Sequence, residues 1–267
     1  MTLLKTLAPW ALLATLPSLS WAHTWSEELQ VIGPNGSYIG DRGFCRGYIA
    51  RTDPTFDGDA NILWLLPALD ARMPDDTVRL RINSSDYLCH PSQRTSNYTN
   101  PQYPKLKVSP GGYVAMKYLE NGHVTLPWNQ PGKPLQGGTA FVYGTTQPST
   151  TEKIANVLQW NANGTGGDGR GWLMTAQTFD DGRCHQINDC VNSAIRQVLY
   201  PNRIPNQPTA PPQNQWCETD LKIPDHQPYG DLTLYWIWQW PTAPDVACTY
   251  PTGKDEYYTS CIDVEIV

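Results

Sequence analysis

The stretch Leu232-Thr233-Leu234-Tyr235-Trp236-Ile237-Trp238-Gln239-Trp240 decides the fold. In an extended chain successive side chains point to opposite sides, so Leu232, Leu234, Trp236, Trp238 and Trp240 share one face. Such alternation predicts a strand buried on one side. Further strand-like stretches cover Leu29–Ile32, Thr77–Ile82, Tyr113–Leu119, Thr139–Tyr143 and Cys261–Val267. They are rich in β-branched and aromatic residues and are separated by Gly, Pro, Asn or Asp. Turn formers abound, with 24 Pro and 21 Gly. Helical periodicity is confined to Asn188–Tyr200, where Ile195 and Leu199 lie four apart. The pattern predicts an all-β fold: an antiparallel immunoglobulin/fibronectin-like β-sandwich with long decorated loops and one or two short helices.

The chain opens with a short positive segment, Met1 to Lys5, followed by a mostly apolar run from Thr6 to Ser18. Ser20-Trp21-Ala22 then offers small residues where a signal peptidase requires them. Residues 1–22 are therefore expected to be a signal peptide, and residues 23–267 a single sandwich domain. The apolar run is shorter than the roughly 20 residues that a membrane helix needs, and no later run approaches that length. No lipid anchor is expected, since the last residues read as an apolar strand without the spacer and tail of an anchor signal. These features predict a secreted, extracellular, soluble chain, expected to be a monomer. The Pro-rich stretch Pro205–Gln213 reads as a long loop within the domain rather than a linker, because strand-like sequence continues beyond it.

The formal net charge is −6, and loss of Lys5 with the leader makes it one unit more negative. An acidic surface argues against nucleic acid and anionic membranes as partners, whereas a neutral glycan is not repelled. The seven cysteines, in an oxidising compartment, read as bridges rather than metal thiolates. The expected scheme is Cys184–Cys190, Cys217–Cys248 and Cys89–Cys261, with Cys45 as the odd thiol. Sequons at Asn35, Asn83, Asn97 and Asn163 agree with export as a glycoprotein.

Cleavage after Ala22 would leave His23 as the first residue. A histidine at a free amino terminus offers one metal two nitrogens, from its ring and its α-amine. A second imidazole completes a three-nitrogen set, and nitrogen-rich tetragonal sites favour Cu(II) among the divalent first-row ions. The α-amino pKa of about 7.7–8 lets copper displace its proton near neutrality. His123 fits as the second ligand, since it follows a strand and a Glu120-Asn121-Gly122 turn. His90 and His185, each after a cysteine expected to be bridged, and His226, in a Pro-flanked turn, read as surface histidines. His23 could also follow the cleavage site by chance.

His23-Thr24-Trp25 behind a leader, a strand ending in Asn121-Gly122-His123, and Glu256-Tyr257-Tyr258-Thr259-Ser260-Cys261 before the last strand together resemble the lytic polysaccharide monooxygenases. The opening run through Arg46-Gly47-Tyr48 and Leu65-Leu66-Pro67 is similar to a fungal branch of secreted proteins beginning His-Thr-Trp. The resemblance covers both ends and the middle of the chain, but not Thr145–Trp216. It implies a single copper held by His23 and His123, with Tyr258 in the axial position and Glu256 beside it, orienting or protonating the oxygen species. It also implies a polysaccharide substrate, an external electron donor, and O2 or H2O2 as co-substrate. Glu256 stands where the cellulose-active family usually has glutamine, and Gly-His-Val-Thr replaces that family's His-Gly-Pro. Both departures bear on the substrate more than on the metal.

Competing readings are weaker. Gly164-Thr-Gly-Gly-Asp-Gly169 matches a dinucleotide fingerprint only formally, since no βαβ context surrounds it. A paired-copper oxidase needs more histidine ligands than the five present. No carboxylate pair stands out for glycoside hydrolysis. Trp236, Trp238 and Trp240 read as core, and Trp25 as support for the site. The alternative function is a non-catalytic secreted protein that binds copper through the same histidine brace. A third reading is a cell-wall structural protein in which His23 binds nothing.

Overall fold

The computed structural model describes residues 24–58, 62–126, 131–201 and 215–267. The expected signal peptide, His23 and the Pro205–Gln213 loop lie outside the described residues. Ten strands form among the described residues: β1 (Glu28–Ile32), β2 (Tyr38–Gly43), β3 (Leu65–Leu66), β4 (Leu106–Val108), β5 (Tyr113–Tyr118), β6 (Thr139–Thr145), β7 (Trp172–Thr178), β8 (Cys217–Lys222), β9 (Gly230–Gln239) and β10 (Tyr257–Ile266). One antiparallel sheet runs β2-β1-β5-β8 and a second runs β3-β10-β9-β6-β7, with β4 added parallel to β10. The expected antiparallel sandwich is what forms.

Leu29, Val114, Met116 and Leu221 of the first sheet share one core with Val142, Leu234, Trp236, Trp238, Ile262 and Val264 of the second. Burial on β9 goes further than alternation predicts. Tyr235 and Ile237, on its other face, are also fully buried, packed with Leu88, Ile154, Val157 and Trp160. The segments around Cys89 and the helical turn Ile154–Val157 thus roof the outer side of the second sheet, so the strand is buried on both sides, not one.

Thr77–Ile82 is not a strand. Its arginines serve ion pairs instead, Arg79 with Asp86 at 2.6 Å and Arg81 with Asp255 at 2.6 Å, and Val78 is exposed. The expected helix is real but shorter, Val191–Leu199, and presents Val191, Ile195, Val198 and Leu199 to solvent.

Asp263, in the middle of β10, is buried and accepts from Arg46 Nε at 2.9 Å and Nη2 at 2.5 Å. Arg46 also reaches Thr233 Oγ1 at 3.0 Å and the Gln93 carbonyl at 3.2 Å. This ion pair sits 217 residues apart in the chain and ties the Phe44–Tyr48 loop to the second sheet.

Cys89–Cys261 forms as expected. The other bridge is Cys184–Cys217, in place of the expected Cys184–Cys190 and Cys217–Cys248. The reason is the meeting of the two sheet edges. Gln177 of β7 donates to the Asp220 carbonyl of β8 at 2.6 Å, and the Glu218 amide donates to Asp181 at 3.2 Å. Cys217 therefore starts its strand beside the turn that follows β7. Cys45 and Cys190 stay buried thiols, and Cys248 is an exposed one. Burial, with the Glu27 charge added, pushes the Cys45 thiol far above its ordinary pKa.

Candidate functional site

The end of β5 delivers His123 through a turn that the sequence builds for it. Asn121 and Gly122 adopt φ of 45° and 83°, left-handed values that Asn and Gly tolerate best. The His123 amide closes the turn on the Glu120 carbonyl at 2.9 Å. The buried Glu120 carboxylate accepts from the Val124 and Gln186 amides at 2.8 and 2.7 Å and from the Thr125 hydroxyl. Paired this way, it fixes the loop carrying His123. Glu120 stands three residues before the histidine, but nothing in its sequence spacing marked it as the clamp.

His123 is 3 % exposed, and aromatic rings wall its imidazole. Trp240 lies edge-on at 4.1 Å between centroids, Trp238 at 4.7 Å and Phe179 at 6.3 Å. Trp238 in turn stacks on Phe179 at 4.1 Å and on Tyr258 at 4.8 Å. The tryptophans expected in the core are indeed buried, yet two of them also border the histidine. Among the described residues, the indole Nε1 of Trp240 is a buried donor without a hydrogen-bond partner.

Tyr258 is buried and donates its hydroxyl to Glu256 Oε1 at 2.7 Å, so these two side chains do share a face. Burial, with the Glu256 charge added, holds the Tyr258 phenol well above its ordinary pKa. The other Glu256 oxygen meets Lys133 Nζ at 2.7 Å and Lys254 Nζ at 3.7 Å. Lys133 also donates to the Trp240 carbonyl at 2.9 Å and rides 3.8 Å from the Trp240 ring centre. Burial draws the Lys133 ammonium below its usual pKa, against the pull of Glu256. His123, Trp238, Trp240, Tyr258, Glu256 and Lys133 thus form one connected cluster. Lys133 escaped the sequence reading because it comes from a loop 123 residues away from Glu256.

The first described residues lead to the same end of the sandwich. Thr24 Oγ1 donates to the Leu119 carbonyl at 2.7 Å, the Ser26 amide to Ser260 Oγ at 3.0 Å, and the Glu27 amide to the Lys117 carbonyl at 2.8 Å. Trp25 is buried beneath the Arg51 guanidinium, 4.2 Å from its ring centre.

The remaining histidines are engaged elsewhere. His90 and His185 are buried rather than on the surface. His90 Nδ1 pairs with Ser92 Oγ at 2.7 Å, and burial lowers the His185 imidazole pKa. His226 is exposed in the β8–β9 turn. Asp180, Asp181 and Cys184 lie close enough to share an ion, but Cys184 is in a disulfide and Asp180 pairs with Arg196 at 2.7 Å.

The protein is thus a two-layer antiparallel sandwich with a buried histidine–tyrosine–carboxylate cluster at one end. The chain belongs to the DUF7492 family, a domain of unknown function, whose profile matches residues 20–267. No curated protein matches it. Among solved structures it is similar to a cellulose-active polysaccharide monooxygenase from M. thermophila and to HiLPMO9B, each at 12 % identity and a TM-score of 0.37, covering 92 % of this chain and 78 % of the other. It is similar to CvAA9A at 10 % identity and a TM-score of 0.36, with the same coverage. Superpositions this loose assign neither site nor activity. Among the described residues no helix is long and apolar enough to cross a membrane.

Proposed function

We propose that the mature chain begins at His23, holds one copper ion between His23 and His123, and oxidatively cleaves a polysaccharide outside the cell. The observation that carries this reading is the Thr24 hydroxyl bound to the Leu119 carbonyl. Consecutive Cα atoms are about 3.8 Å apart, so residue 23 is one peptide unit from a residue anchored just ahead of the His123 turn. The donor set fits the metal: two imidazoles and an amine are the neutral nitrogens that suit Cu(II). A copper held there would supply one-electron redox chemistry between an external donor and O2 or H2O2, directed at a C–H bond beside a glycosidic link.

The protein's own groups do the rest. Glu120 holds the turn that carries His123, and Trp238, Trp240 and Phe179 exclude water from the imidazole. Tyr258 keeps its proton because burial raises its pKa, and it would present a neutral phenol, not a phenolate, to a copper held there. Glu256 accepts that phenol's hydrogen bond while Lys133 balances its charge, which makes it a positioning group. Titrating copper into protein that starts at His23 tests the reading. One tight equivalent with a three-nitrogen EPR spectrum supports it, and the absence of tight binding overturns it.

The Lys133–Glu256 pair gives a second expected result. Glu256→Gln keeps an acceptor for the Tyr258 hydroxyl but strips Lys133 of a counter-charge. A group buried without its charged partner costs about 1–3 kcal/mol. A Lys pKa lowered by folding means that the unfolded chain binds more protons, so stability rises with pH between the folded and unfolded values. Loss of Glu256 removes an upward pull on Lys133, so this window should open at lower pH than in the parent. Thermal midpoints measured from pH 7 to 10 should show the variant regaining stability as pH rises. A constant deficit would show that Lys133 carries no unbalanced charge.

A further inference from the structure

Asn97-Tyr98-Thr99 is one of four sequons, and its surroundings differ from those of the other three. At Asn35, Asn83 and Asn163 the amide oxygen accepts from the hydroxyl two residues on at 2.7, 2.6 and 2.7 Å, within exposed turns. Asn97 is also exposed, with its Oδ1 3.3 Å from Thr99 Oγ1, but it stands on the rim of a cavity of about 330 Å³.

Tyr48, Tyr103, Ser92, Thr99 and Asn100 line that cavity, and none of its lining side chains is charged. The neighbouring cavity, by contrast, is lined by Lys105, Lys107, Asp231 and Glu265. Tyrosine rings offer flat apolar faces, and hydroxyl and amide groups offer neutral hydrogen bonds, which is the chemistry that a sugar ring with an acetamido group requires. The rim is rigid. The Asn97 carbonyl accepts from the Gly47 amide at 3.0 Å, and the Tyr98 hydroxyl accepts from the Asp263 amide at 2.7 Å. Tyr48 and Tyr103 brace each other edge-to-face at 4.9 Å.

We propose that Asn97 carries an N-linked oligosaccharide whose first N-acetylhexosamine seats in this cavity against the paired rings of Tyr48 and Tyr103. The inference rests on the export part of the proposed function and is independent of the metal. In the transfer, Asn97 Nδ2 forms a bond to the anomeric carbon of a lipid-diphosphate-linked oligosaccharide. The carbon–oxygen bond to the diphosphate breaks, the lipid diphosphate leaves with that electron pair, and one amide proton passes to the transferase's base. The fold then shelters the first sugar, while the remainder projects into solvent.

The test uses the full chain secreted from a eukaryotic host. Amidase release of the oligosaccharides in heavy-oxygen water, with peptide mapping, should convert Asn97 to labelled Asp. Release from the native protein should be slower at Asn97 than at Asn163, since only the former linkage is sheltered. Trimming with an endoglycosidase to a single sugar should leave the thermal midpoint in place, whereas Asn97→Gln should lower it by about 2–4 °C. Introducing Tyr103→Ala should abolish the difference between trimmed and Asn97→Gln protein. An unmodified Asn97 beside modified Asn35 or Asn163 overturns the proposal while leaving export intact. Equal release rates at Asn97 and Asn163, a result that needs no variant, overturn the seating. A chain that never leaves the cell removes the export reading and this inference together, whatever its copper affinity.

Discussion

Replacing His123 by alanine should lower copper affinity by more than about 100-fold, because losing even an outer partner of a metal ligand costs 10–100-fold. Calorimetric titration of chain starting at His23 reads this directly. The substitution also opens a space beside Trp238 and Trp240, and large-to-small changes in packed sites cost about 2–5 kcal/mol, so a fold check by thermal melting belongs with it. His226→Ala, on an exposed turn at the other end of the sandwich, should leave affinity unchanged. If His123→Ala binds copper as the parent does, while a change at His90 or His185 weakens it, the ligand assignment is wrong.

Arg46→Met should be strongly destabilising although it lies outside the site. It leaves Asp263 buried with Thr233 Oγ1 as a remaining partner at 2.7 Å. Removing one member of a buried ion pair costs about 3–5 kcal/mol. In a domain of this size that is a fall in Tm of roughly 10 °C. The pH dependence carries a sign. Burial alone would raise the Asp263 pKa, but the hydrogen bonds and charge of Arg46, helped by Thr233, bring it below the ordinary value. In the parent, its contribution is therefore present above the unfolded carboxyl pKa of about 3.9 and lost as pH falls through the lower folded value. In Arg46→Met burial dominates and raises the folded pKa, so acid should favour the folded variant. The gap in Tm between parent and variant should narrow from pH 7 to pH 4. A gap that widens in acid would contradict this account of the pair. Adding Asp263→Leu to Arg46→Met should recover much of the loss, since buried pairs often yield to apolar residues of similar size.

The elements legible in the sequence were those whose pattern matched their surroundings. β5, β6 and β9 read correctly, and β10 from Cys261 onward, because their large side chains face the interior; Tyr257–Ser260, expected ahead of the last strand, are its first four residues. β2 (Tyr38–Gly43) and β8 (Cys217–Lys222) escaped, being edge strands with charged residues and partners far along the chain. Thr77–Ile82 had strand composition, but its two arginines found carboxylates at Asp86 and Asp255, and no strand pairs along it. Cys184–Cys217 was illegible for the same reason as β8, since it depends on which sheet edges meet. At the site, the two-residue spacing of Glu256 and Tyr258 is local, and alternation gave their shared side. Lys133, Glu120 and Phe179 reach the cluster from loops whose paths no periodicity encodes.

The proposed site makes the amino terminus of the mature chain itself a metal ligand. The most direct measurement compares the Cu(II) EPR spectrum and affinity of protein starting at His23 with the same protein acetylated on its α-amine. Acetylation converts the amine into an amide without supplying a new one, and leaves both imidazoles in place. Loss of the three-nitrogen spectrum and a large fall in affinity are expected in the acetylated protein. An unchanged spectrum and affinity would contradict the proposed site, because two histidines alone would then suffice.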